Sequence, residues 1–380
     1  MNAAIKEIGI IGKGKMGWDI FDNLYLNDFT IHLLCRTNDD KLKLKDKIKK
    51  QLNKKLKRNL ITQDAYDNRV NHLHVSCDVS CLNACDLVIE SVIENSEVKQ
   101  NIFKALSGIV SDRCILASNT SSIPLDTIFL YENNKSRCFG LHFFYPLKLI
   151  NTIEINIMDN NDKNRLSALK QFVGKIGKIY IEFSGEANFL LNKILLSLMV
   201  QAYRIYQEND LTMEDIDEIL KENLFLLGLF EIMDSVGSDI ILELAKNFTN
   251  KRNQCFNKPY IDWINTLVKK GYTGRTGVKD LYACHLNPGK TDFNRDQYQK
   301  EMIEKFQSLL INEIFYAESK GYAAKQDILN ALTQILGIKK DPFEYADQYG
   351  YGNIYSNLIS YYNGTHDIVY KPVENMFNAS

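Results

Sequence analysis

The chain has 380 residues, which is longer than one ordinary domain, and at about 100–200 residues per domain it predicts two or three domains. Hydrophobic residues make up 45% and charged residues 24%, which is typical of soluble globular proteins and excludes a disordered or fibrous chain. The formal net charge of -1 argues against general nucleic-acid or membrane binding, and no apolar run approaches the ~20 residues that span a bilayer.

The N-terminus and the cysteines indicate a cytoplasmic location. Residues 1–8 lead directly into a predicted strand, without the apolar segment of a signal peptide. Eight cysteines over this length suit a reduced compartment. Cys77, Cys81 and Cys85 are four residues apart, but no histidine follows at zinc-site spacing, so we expect packing residues and no metal.

Apolar runs alternate with helical patterns up to about residue 183, which predicts a doubly wound α/β sheet of Rossmann type. The predicted strands are 8–11, 30–35, 72–76, 87–90, 114–117, 138–143, 153–156 and 178–183. From Asn188 onward, Leu, Ile and Met recur every three or four residues, which predicts an all-α C-terminal region.

A dinucleotide fingerprint follows the first predicted strand, and it reads Gly12-Lys13-Gly14-Lys15-Met16-Gly17. Gly12 would make the tight turn, Gly14 would let the backbone approach a pyrophosphate, and Gly17 would let the next helix pack on the sheet. A lone GxGxxG is weak evidence, but here a strand precedes it and an amphipathic run, 18–26, follows. The motif therefore predicts NAD or NADP.

The second strand ends at Cys35-Arg36-Thr37, where NAD enzymes usually place an acid that bonds the ribose 2′-hydroxyl. Three interpretations stay open: Arg36 and Thr37 bind the 2′-phosphate of NADP, Arg36 stacks on the adenine of NAD, or Arg36 is a solvated surface residue. We favour the 2′-phosphate.

A second constellation runs from residue 118 to residue 154. A hydroxyl-rich turn, Ser118-Asn119-Thr120-Ser121-Ser122, precedes a strand that ends near His142, and Glu154 lies on the next apolar run. This grouping offers a base, a carboxylate to orient it, and donors for a substrate oxygen.

The fingerprint and this constellation together resemble the L-3-hydroxyacyl-CoA dehydrogenase family. The resemblance implies that His142 is the catalytic base, that Glu154 orients it, and that Ser121 bonds the substrate oxygen. It also implies that Asn192, near the start of the helical region, donates to the reacting oxygen. The remaining positions that it assigns to the cofactor are Gly12, Gly14, Met16, Gly17, Glu94, Lys99, Tyr145 and Arg275. Without the resemblance, Glu94 and Lys99 would be expected to form an ordinary exposed pair.

The charge run from Lys41 to Arg58 predicts an amphipathic basic helix. The charged residues of such a helix usually only face solvent. The resemblance implies instead that Lys54 and Lys55 contact the phosphates of a CoA substrate, and the same face would suit an acidic acyl carrier protein.

Three departures from the family motif indicate shifted specificity or reduced activity. Tyr145 stands where the family has Asn after His-Phe-Phe, and Asn188 replaces a glycine before the asparagine helix. The loop beginning Gly274-Arg275 continues as Val278-Lys279-Asp280 instead of Gly-Phe-Tyr.

The helical region contains an internal repeat, since 230–237 recurs as 343–350 and Asp215-Ile216 recurs as Asp327-Ile328. We therefore predict a Rossmann domain at 1–185, a helical domain at 186–284 and its second copy at 285–380, joined near 285–294. The second copy would make the chain a monomer, or leave it a homodimer.

These features predict an NAD(P)-dependent dehydrogenase of a 3-hydroxyacyl thioester, linked to CoA or to an acyl carrier protein. Two alternatives stay open. One is a dehydrogenase of a small free hydroxy acid, and the other is a nucleotide-binding homologue whose catalysis is weakened or lost.

Overall fold

The computed structural model describes residues 4–25, 27–208, 211–248, 254–275, 277–284, 295–374 and 376, without the side chains of 254–257, 295 and 297. The chain divides into two compact units, Met1–Asn188 and Phe189–Ser380.

The first unit contains one eight-stranded sheet. Its strands are β1 (Glu7–Ile11), β2 (Thr30–Leu34), β3 (Leu73–Ser76), β4 (Leu87–Glu90), β5 (Ile115–Ser118), β6 (Cys138–Phe143), β7 (Thr152–Ile157) and β8 (Ile179–Ser184). Their order is β3-β2-β1-β4-β5-β6-β7-β8. Pairs from β3 to β6 are parallel, β6 and β7 are antiparallel, and β7 and β8 are parallel. The predicted sheet is confirmed, and each strand lies within one residue of its predicted ends.

Helices cover the sheet, which explains why its strands are continuous apolar runs. They are α1 (Lys15–Leu24), α2 (Asn38–Lys57), α3 (Gln63–Asn71), α4 (Ser96–Ser107), α5 (Leu125–Ile128) and α6 (Lys163–Lys175). Every residue of β4 and β6 is buried. A parallel strand with both faces covered has no solvent side for polar residues, so the period of two disappears.

The predicted basic helix is α2. The Thr37 hydroxyl accepts a hydrogen bond from the amide of Asp40 and caps its first turn, while the last turn carries several lysines, so both ends suit the helix dipole. Only Ile48 and Leu52 of this helix are buried, and its lysines are exposed or half-buried.

The second unit is helical throughout its described residues. Its helices are α7 (Leu190–Glu208), α8 (Met213–Asn223), α9 (Leu229–Val236), α10 (Ser238–Asn247), α11 (Gln254–Lys269), α12 (Arg295–Ser319), α13 (Lys325–Leu336), α14 (Pro342–Tyr349) and α15 (Tyr351–Thr365). Across the described ranges of the whole chain, none of the helices has the length and apolar character needed to cross a membrane.

The helices of the second unit follow one pattern twice. A long helix, two shorter helices and a fourth helix form α7–α10, and α12–α15 follow the same order. Gly237 joins α9 to α10 with φ 112° and ψ 130°, while Gly350 joins α14 to α15 with φ 92° and ψ 127°. Both junctions need a backbone conformation that favours glycine.

The loops after α8 and α13 contact each other symmetrically. The amide of Leu226 donates to the carbonyl oxygen of Gly337 at 2.9 Å, and the amide of Lys339 donates to that of Leu224 at 2.8 Å. Residues 224 and 337, like 226 and 339, are separated by the same 113 positions as Phe230 and Phe343. The two loops are therefore related by an approximate two-fold axis. The linker predicted at 285–294 lies outside the described residues.

Gly337→Ala tests this contact. Gly337 has φ +65°, and an added Cβ would lie 2.5 Å from Cβ of Leu226, so we expect destabilisation by about 1–3 kcal/mol. The unfolding temperature should fall by about 2–10 °C in calorimetry. The control is Gly352→Ala in α15, where the added Cβ meets no atom within 4 Å and stability should hold or rise. Equal effects of the two substitutions would contradict the packing described.

Candidate active site

The carboxyl ends of β1, β4, β5 and β6 meet along one edge of the sheet. β1 and β4 are neighbours, although β2 and β3 lie between them in the sequence. At such a switch point the connections leave in opposite directions, and the crevice between them is where doubly wound sheets bind ligands.

Two glycines of the fingerprint are required by backbone packing. Gly12 has φ +123°, and a Cβ there would lie 2.1 Å from the carbonyl oxygen of Ser91, which follows β4. A Cβ on Gly17 would lie 2.2 Å from the carbonyl oxygen of Gly12. The loop therefore packs closely against both β4 and α1.

Gly14 is different, because a Cβ there would meet no protein atom within 4 Å. It is the N-cap of α1, whose first turn has neither a side-chain cap nor an acidic residue. Uncapped amides at a helix N-terminus favour an anion, so this loop fits the pyrophosphate of a dinucleotide. Met16 is half-buried against the sheet core, and its predicted cofactor contact stays a prediction.

The end of β2 has the cation that the sequence predicts and a carboxylate that it did not reveal. Cys35 is buried, while Arg36 is exposed. The hydroxyl of Thr37 caps α2. Asp40 is hydrogen-bonded to Lys13 of the glycine loop, and this bond holds the pKa of Asp40 below its usual range. The missing acid therefore has a candidate substitute on the first turn of α2.

His142 and Glu154 form a buried hydrogen-bonded pair. The antiparallel register places them directly opposite each other on β6 and β7. His142 Nδ1 lies 2.7 Å from Glu154 Oε2, and the two residues are 6% and 0% exposed. With Nδ1–H donated to the carboxylate, Nε2 is the ring nitrogen that can exchange a proton with a substrate.

Asn119 connects three strand ends around this pair, a role that the sequence did not reveal. Its Oδ1 accepts from the amide of Phe143 at 2.9 Å, and its Nδ2 donates to the hydroxyl of Ser91 at 3.2 Å. Asn119 therefore fixes the backbone beside His142 relative to the loops after β4 and β5. Its place in the hydroxyl-rich turn was the available signal.

Glu94 organises the turn that carries Ser121. Its Oε1 accepts hydrogen bonds from the amides of Ser121 and Ser122 at 2.9 and 3.2 Å, and from the hydroxyl of Thr120 at 2.6 Å. The hydroxyls of Ser121 and Ser122 lie 3.3 Å away. Burial disfavours the carboxylate, but Lys99 and these donors outweigh it, so the pKa of Glu94 lies below its usual range.

The expectation of an ordinary exposed pair for Glu94 and Lys99 is wrong. Lys99 is 0% exposed, and its ammonium lies 3.2 Å from Glu94 Oε2 and 2.8 Å from Glu90 Oε1. The role of Glu90 is not evident from the sequence, because a carboxylate at the end of an apolar strand gives no sign of its partner.

Tyr145 contacts the glycine loop. The ammonium of Lys15 lies 3.7 Å from the centre of the Tyr145 ring, a cation–π contact. The amide expected from the family motif is absent here, but the position is connected to the fingerprint by this different interaction.

Lys54 and Lys55, the two lysines of α2 that were predicted to contact phosphates, have different surroundings. Lys54 lines a shallow depression together with Lys50, Asn53, Lys57 and Arg58. Lys55 lies instead 3.8 Å from Asp22 of α1. The geometry therefore favours Lys54 over Lys55 as a ligand for anions.

Two predicted site residues lie in the second unit. Asn192 is in the first turn of α7 and is 7% exposed. Arg275 forms an ion pair with Asp234, 2.9 Å from its Nε, and Asp234 Oδ1 accepts from the amide of Leu281. The loop that carries Arg275 is thus anchored to α9, while its neighbour Thr276 lies outside the described residues.

In the part of the chain that the structure describes, which includes Cys77, Cys81 and Cys85, no group of three or more His, Cys, Asp and Glu residues is arranged to hold a metal ion. Cys85 is buried, and burial raises the pKa of its thiol.

The family models agree with this geometry. The model described as "3-hydroxyacyl-CoA dehydrogenase, NAD binding domain" matches residues 7–186, and the model of the C-terminal domain matches residues 189–284. The chain belongs to the 3-hydroxyacyl-CoA dehydrogenase family. Both the glycine fingerprint and the His142–Glu154 pair lie within residues 7–186, the region that matches the NAD-binding domain of the family.

Several named proteins are similar to this family member. The mitochondrial hydroxyacyl-coenzyme A dehydrogenase of Sus scrofa is 29% identical over 62% of this chain and 77% of its own. The 3-hydroxybutyryl-CoA dehydrogenase of Bradyrhizobium diazoefficiens is 28% identical over 74% of this chain and 99% of its own. The solved 3-hydroxybutyryl-CoA dehydrogenase of Escherichia coli K12 has the same fold, with a TM-score of 0.81 at 20% identity over 99% of this chain and 98% of its own.

Gly14→Ala tests the assigned cofactor loop. The new methyl group meets no protein atom, so the unfolding temperature should be unchanged, but it would occupy the space left for the pyrophosphate. We expect the Kd of NADH or NADPH, measured by nucleotide fluorescence, to rise at least about tenfold. The control is Gly108→Ala, because a Cβ at Gly108 would also meet no protein atom within 4 Å. This substitution should leave the Kd unchanged. Unaltered affinity in Gly14→Ala would place the cofactor elsewhere.

Proposed function

We propose that the protein is an NAD(P)-dependent oxidoreductase that interconverts a 3-hydroxyacyl-CoA thioester and its 3-ketoacyl form. The observation that carries this proposal is the buried His142–Glu154 hydrogen bond, in the same unit as a glycine loop that fits a dinucleotide. The similarity to proteins named 3-hydroxybutyryl-CoA dehydrogenase supports the thioester substrate.

The chemistry divides among the residues according to their geometry. When bound, the nicotinamide supplies or accepts the hydride. His142 Nε2 removes the hydroxyl proton in oxidation and returns it in reduction, and Glu154 stabilises the imidazolium through Nδ1. Ser121 bonds the substrate oxygen from the turn ordered by Glu94, and Asn192 donates to the same oxygen. Glu94, Tyr145 and Arg275 contact the cofactor in this proposal. The predicted contact of Lys99 with the cofactor is not retained, because its side chain is 0% exposed, and Lys99 acts through Glu94 instead.

The basic face of α2 supports CoA over a small free acid. Lys50, Lys54, Lys57 and Arg58 share one depression, and an array of cations suits the phosphates of CoA. A free hydroxy acid has no phosphate for this face. The phosphopantetheine of an acyl carrier protein stays the alternative to CoA. A cytoplasmic location is part of the same proposal.

Arg36 leaves both dinucleotides open, and we propose a contact with a 2′-phosphate. Its exposed guanidinium follows β2. Lys13 of the glycine loop is a second cation beside the first turn of α2, where it contacts Asp40. Asp40, bonded to Lys13, could instead accept a hydrogen bond from the 2′-hydroxyl of NAD. The ratio of activity with the two cofactors reports which arrangement is used.

The repeated helices support a duplicated C-terminal domain that acts as an internal partner. The curated bacterial relative is covered over 99% of its own length by only 74% of this chain. The symmetric bonds between the loops after α8 and α13 are of the kind that an isologous dimer makes. We therefore propose a monomer with domains at 1–185, 186–284 and 285–380.

A weakened nucleotide-binding homologue is less favoured. The pairing of His142 with Glu154 and the ordering of Ser121 by Glu94 keep buried polar groups in one precise arrangement. Such groups are costly to bury, and a protein that only binds a nucleotide does not need them.

His142→Ala tests the chemistry. We expect kcat for acetoacetyl-CoA reduction to fall about 10²–10⁴-fold, because the proton donor is lost. The Kd of the reduced cofactor should stay within about twofold, because the glycine loop is untouched. His32→Ala is the matched control, since His32 forms a similar 2.7 Å contact with Glu7 on neighbouring strands. Full turnover by the His142 variant would refute the assignment.

Lys54→Ala distinguishes CoA from a small acid. Loss of one phosphate contact should raise KM for acetoacetyl-CoA about three- to tenfold, less at high salt, with kcat retained. KM for the truncated N-acetylcysteamine thioester, which lacks the CoA phosphates, should not change. Lys45→Ala, on the opposite side of α2, is the control with the same charge change. An equal effect on both thioesters would argue against CoA binding at this face.

A further inference from the structure

Glu90, at the end of β4, is a buried carboxylate that was not among the predicted site residues. Both of its oxygens accept hydrogen bonds. Its Oε1 accepts from the ammonium of Lys99 at 2.8 Å and from the amide of Val92 at 2.7 Å. Its Oε2 accepts from the hydroxyl of Ser118 at 2.6 Å and from Lys99 at 3.1 Å. The residue is 0% exposed, so these contacts replace water entirely.

Lys99 bridges two carboxylates and has no surface for a ligand. Its side chain is 0% exposed, and its ammonium contacts Glu90 on β4 and Glu94 on the loop before α4. The position of Glu94 is thus fixed by a cation that Glu90 holds.

Glu94 transmits this position to the turn of Ser121. One carboxylate oxygen accepts from the amides of two consecutive residues and from a neighbouring hydroxyl. All of these groups donate to Oε1, and the Lys99 ammonium lies at Oε2, so donors at both oxygens favour the ionised form of Glu94. A proton on Oε1 would oppose the amides of Ser121 and Ser122.

We propose that Lys99 is a positioning residue: held by Glu90, it neutralises the charges of Glu90 and Glu94 and thereby orders the turn that presents Ser121 to the substrate. Its effect on turnover rests on the proposed function. Its effect on the order of the turn does not.

The charges of the cluster give a specific test. Among the described residues, Lys99 contacts the carboxylates of Glu90 and Glu94, and Lys99 is the charged group that contacts Glu94. β5 and the following loop supply hydroxyls and amides. Lys99→Met leaves the buried Glu90 and the partly exposed Glu94 without a cation, so one of the two carboxylates binds a proton more readily. Adding Glu90→Gln removes the second charge and should reverse that effect.

The first measurement is the pH profile of kcat for acetoacetyl-CoA reduction between about pH 5 and 9. In this direction the enzyme must deliver a proton to the substrate oxygen, so the rate falls on the alkaline side, and the acid side reports the protonation of Glu94. The carboxylate form is needed, so activity is present above the pKa of Glu94 and lost as pH falls through it. The wild-type protein should therefore keep its activity at the acid end of this range, at about pH 5.

Lys99→Met should lose activity on the acid side, with a midpoint at least about one pH unit above that of the wild type. The Glu90→Gln/Lys99→Met double variant should return at least half of that shift. Glu132→Gln, which breaks the buried pair with Arg137 in the same unit, is the control and should lower stability without moving the midpoint. A uniform loss at every pH, not relieved by Glu90→Gln, would overturn the proposal.

The second measurement is amide hydrogen exchange of the peptide that contains Ser121 and Ser122, in the protein without cofactor. Exchange should accelerate in Lys99→Met, slow again in the double variant, and stay at the wild-type rate in Glu132→Gln. Unchanged exchange in Lys99→Met would overturn the proposal. Absence of turnover in the wild type would instead count against the proposed function alone, since exchange still reports the turn.

Discussion

The hydrogen bond between His142 and Glu154 depends on one backbone constraint, the antiparallel register of β6 and β7. The sheet is parallel from β3 to β6, and β7 then returns in the opposite direction. Residues directly opposite in an antiparallel pair point to the same face, so this return brings the carboxylate to the ring nitrogen. A slip by one residue would send Glu154 to the other face and leave the ring without an orienting group.

The other groups of the first unit reach the same edge because parallel strands share their carboxyl ends. β1 delivers Gly12, β4 delivers Glu90 and Ser91, and β5 delivers Ser118 and Asn119. Asn119 then bonds the amide of Phe143 beside the histidine. The site is therefore built from residues at the ends of strands, and the sheet fixes their positions relative to one another.

Buried charge is the main cost of this arrangement. Glu90, Lys99 and Glu154 are 0% exposed. Isolated charges would be strongly disfavoured there, but each has a partner within 3 Å, and Glu94 receives donors from three consecutive residues. Such clusters contribute less to net stability than to holding one geometry. An acid–base site needs that single geometry more than it needs extra stability.

Much of the fold could be predicted from the sequence, because its signals are local. The strands are apolar runs bounded by turns, and the Gly12–Gly17 motif has steric requirements that its spacing states directly. His142 and Glu154 were recognisable as candidates because the residues around them, in their order along the chain, resemble the family motif.

Contacts between distant segments could not be predicted. Nothing local distinguishes Lys55, which faces Asp22, from Lys54, which faces the basic depression. Lys99 has the sequence context of an exposed helix residue, and its burial follows only from the packing of α4 beside Glu90. Asp40 is three residues inside a helix, so its bond to Lys13 depends on how α2 lies beside the glycine loop.

The most direct test of the central claim is reduction of acetoacetyl-CoA by the wild-type protein, followed by loss of reduced-nicotinamide absorbance with NADH and NADPH in parallel. The account predicts turnover with at least one cofactor, and much slower turnover of free acetoacetate. The ratio between the two cofactors would show how Arg36 is used. Tight cofactor binding without reduction of the CoA thioester would contradict the account.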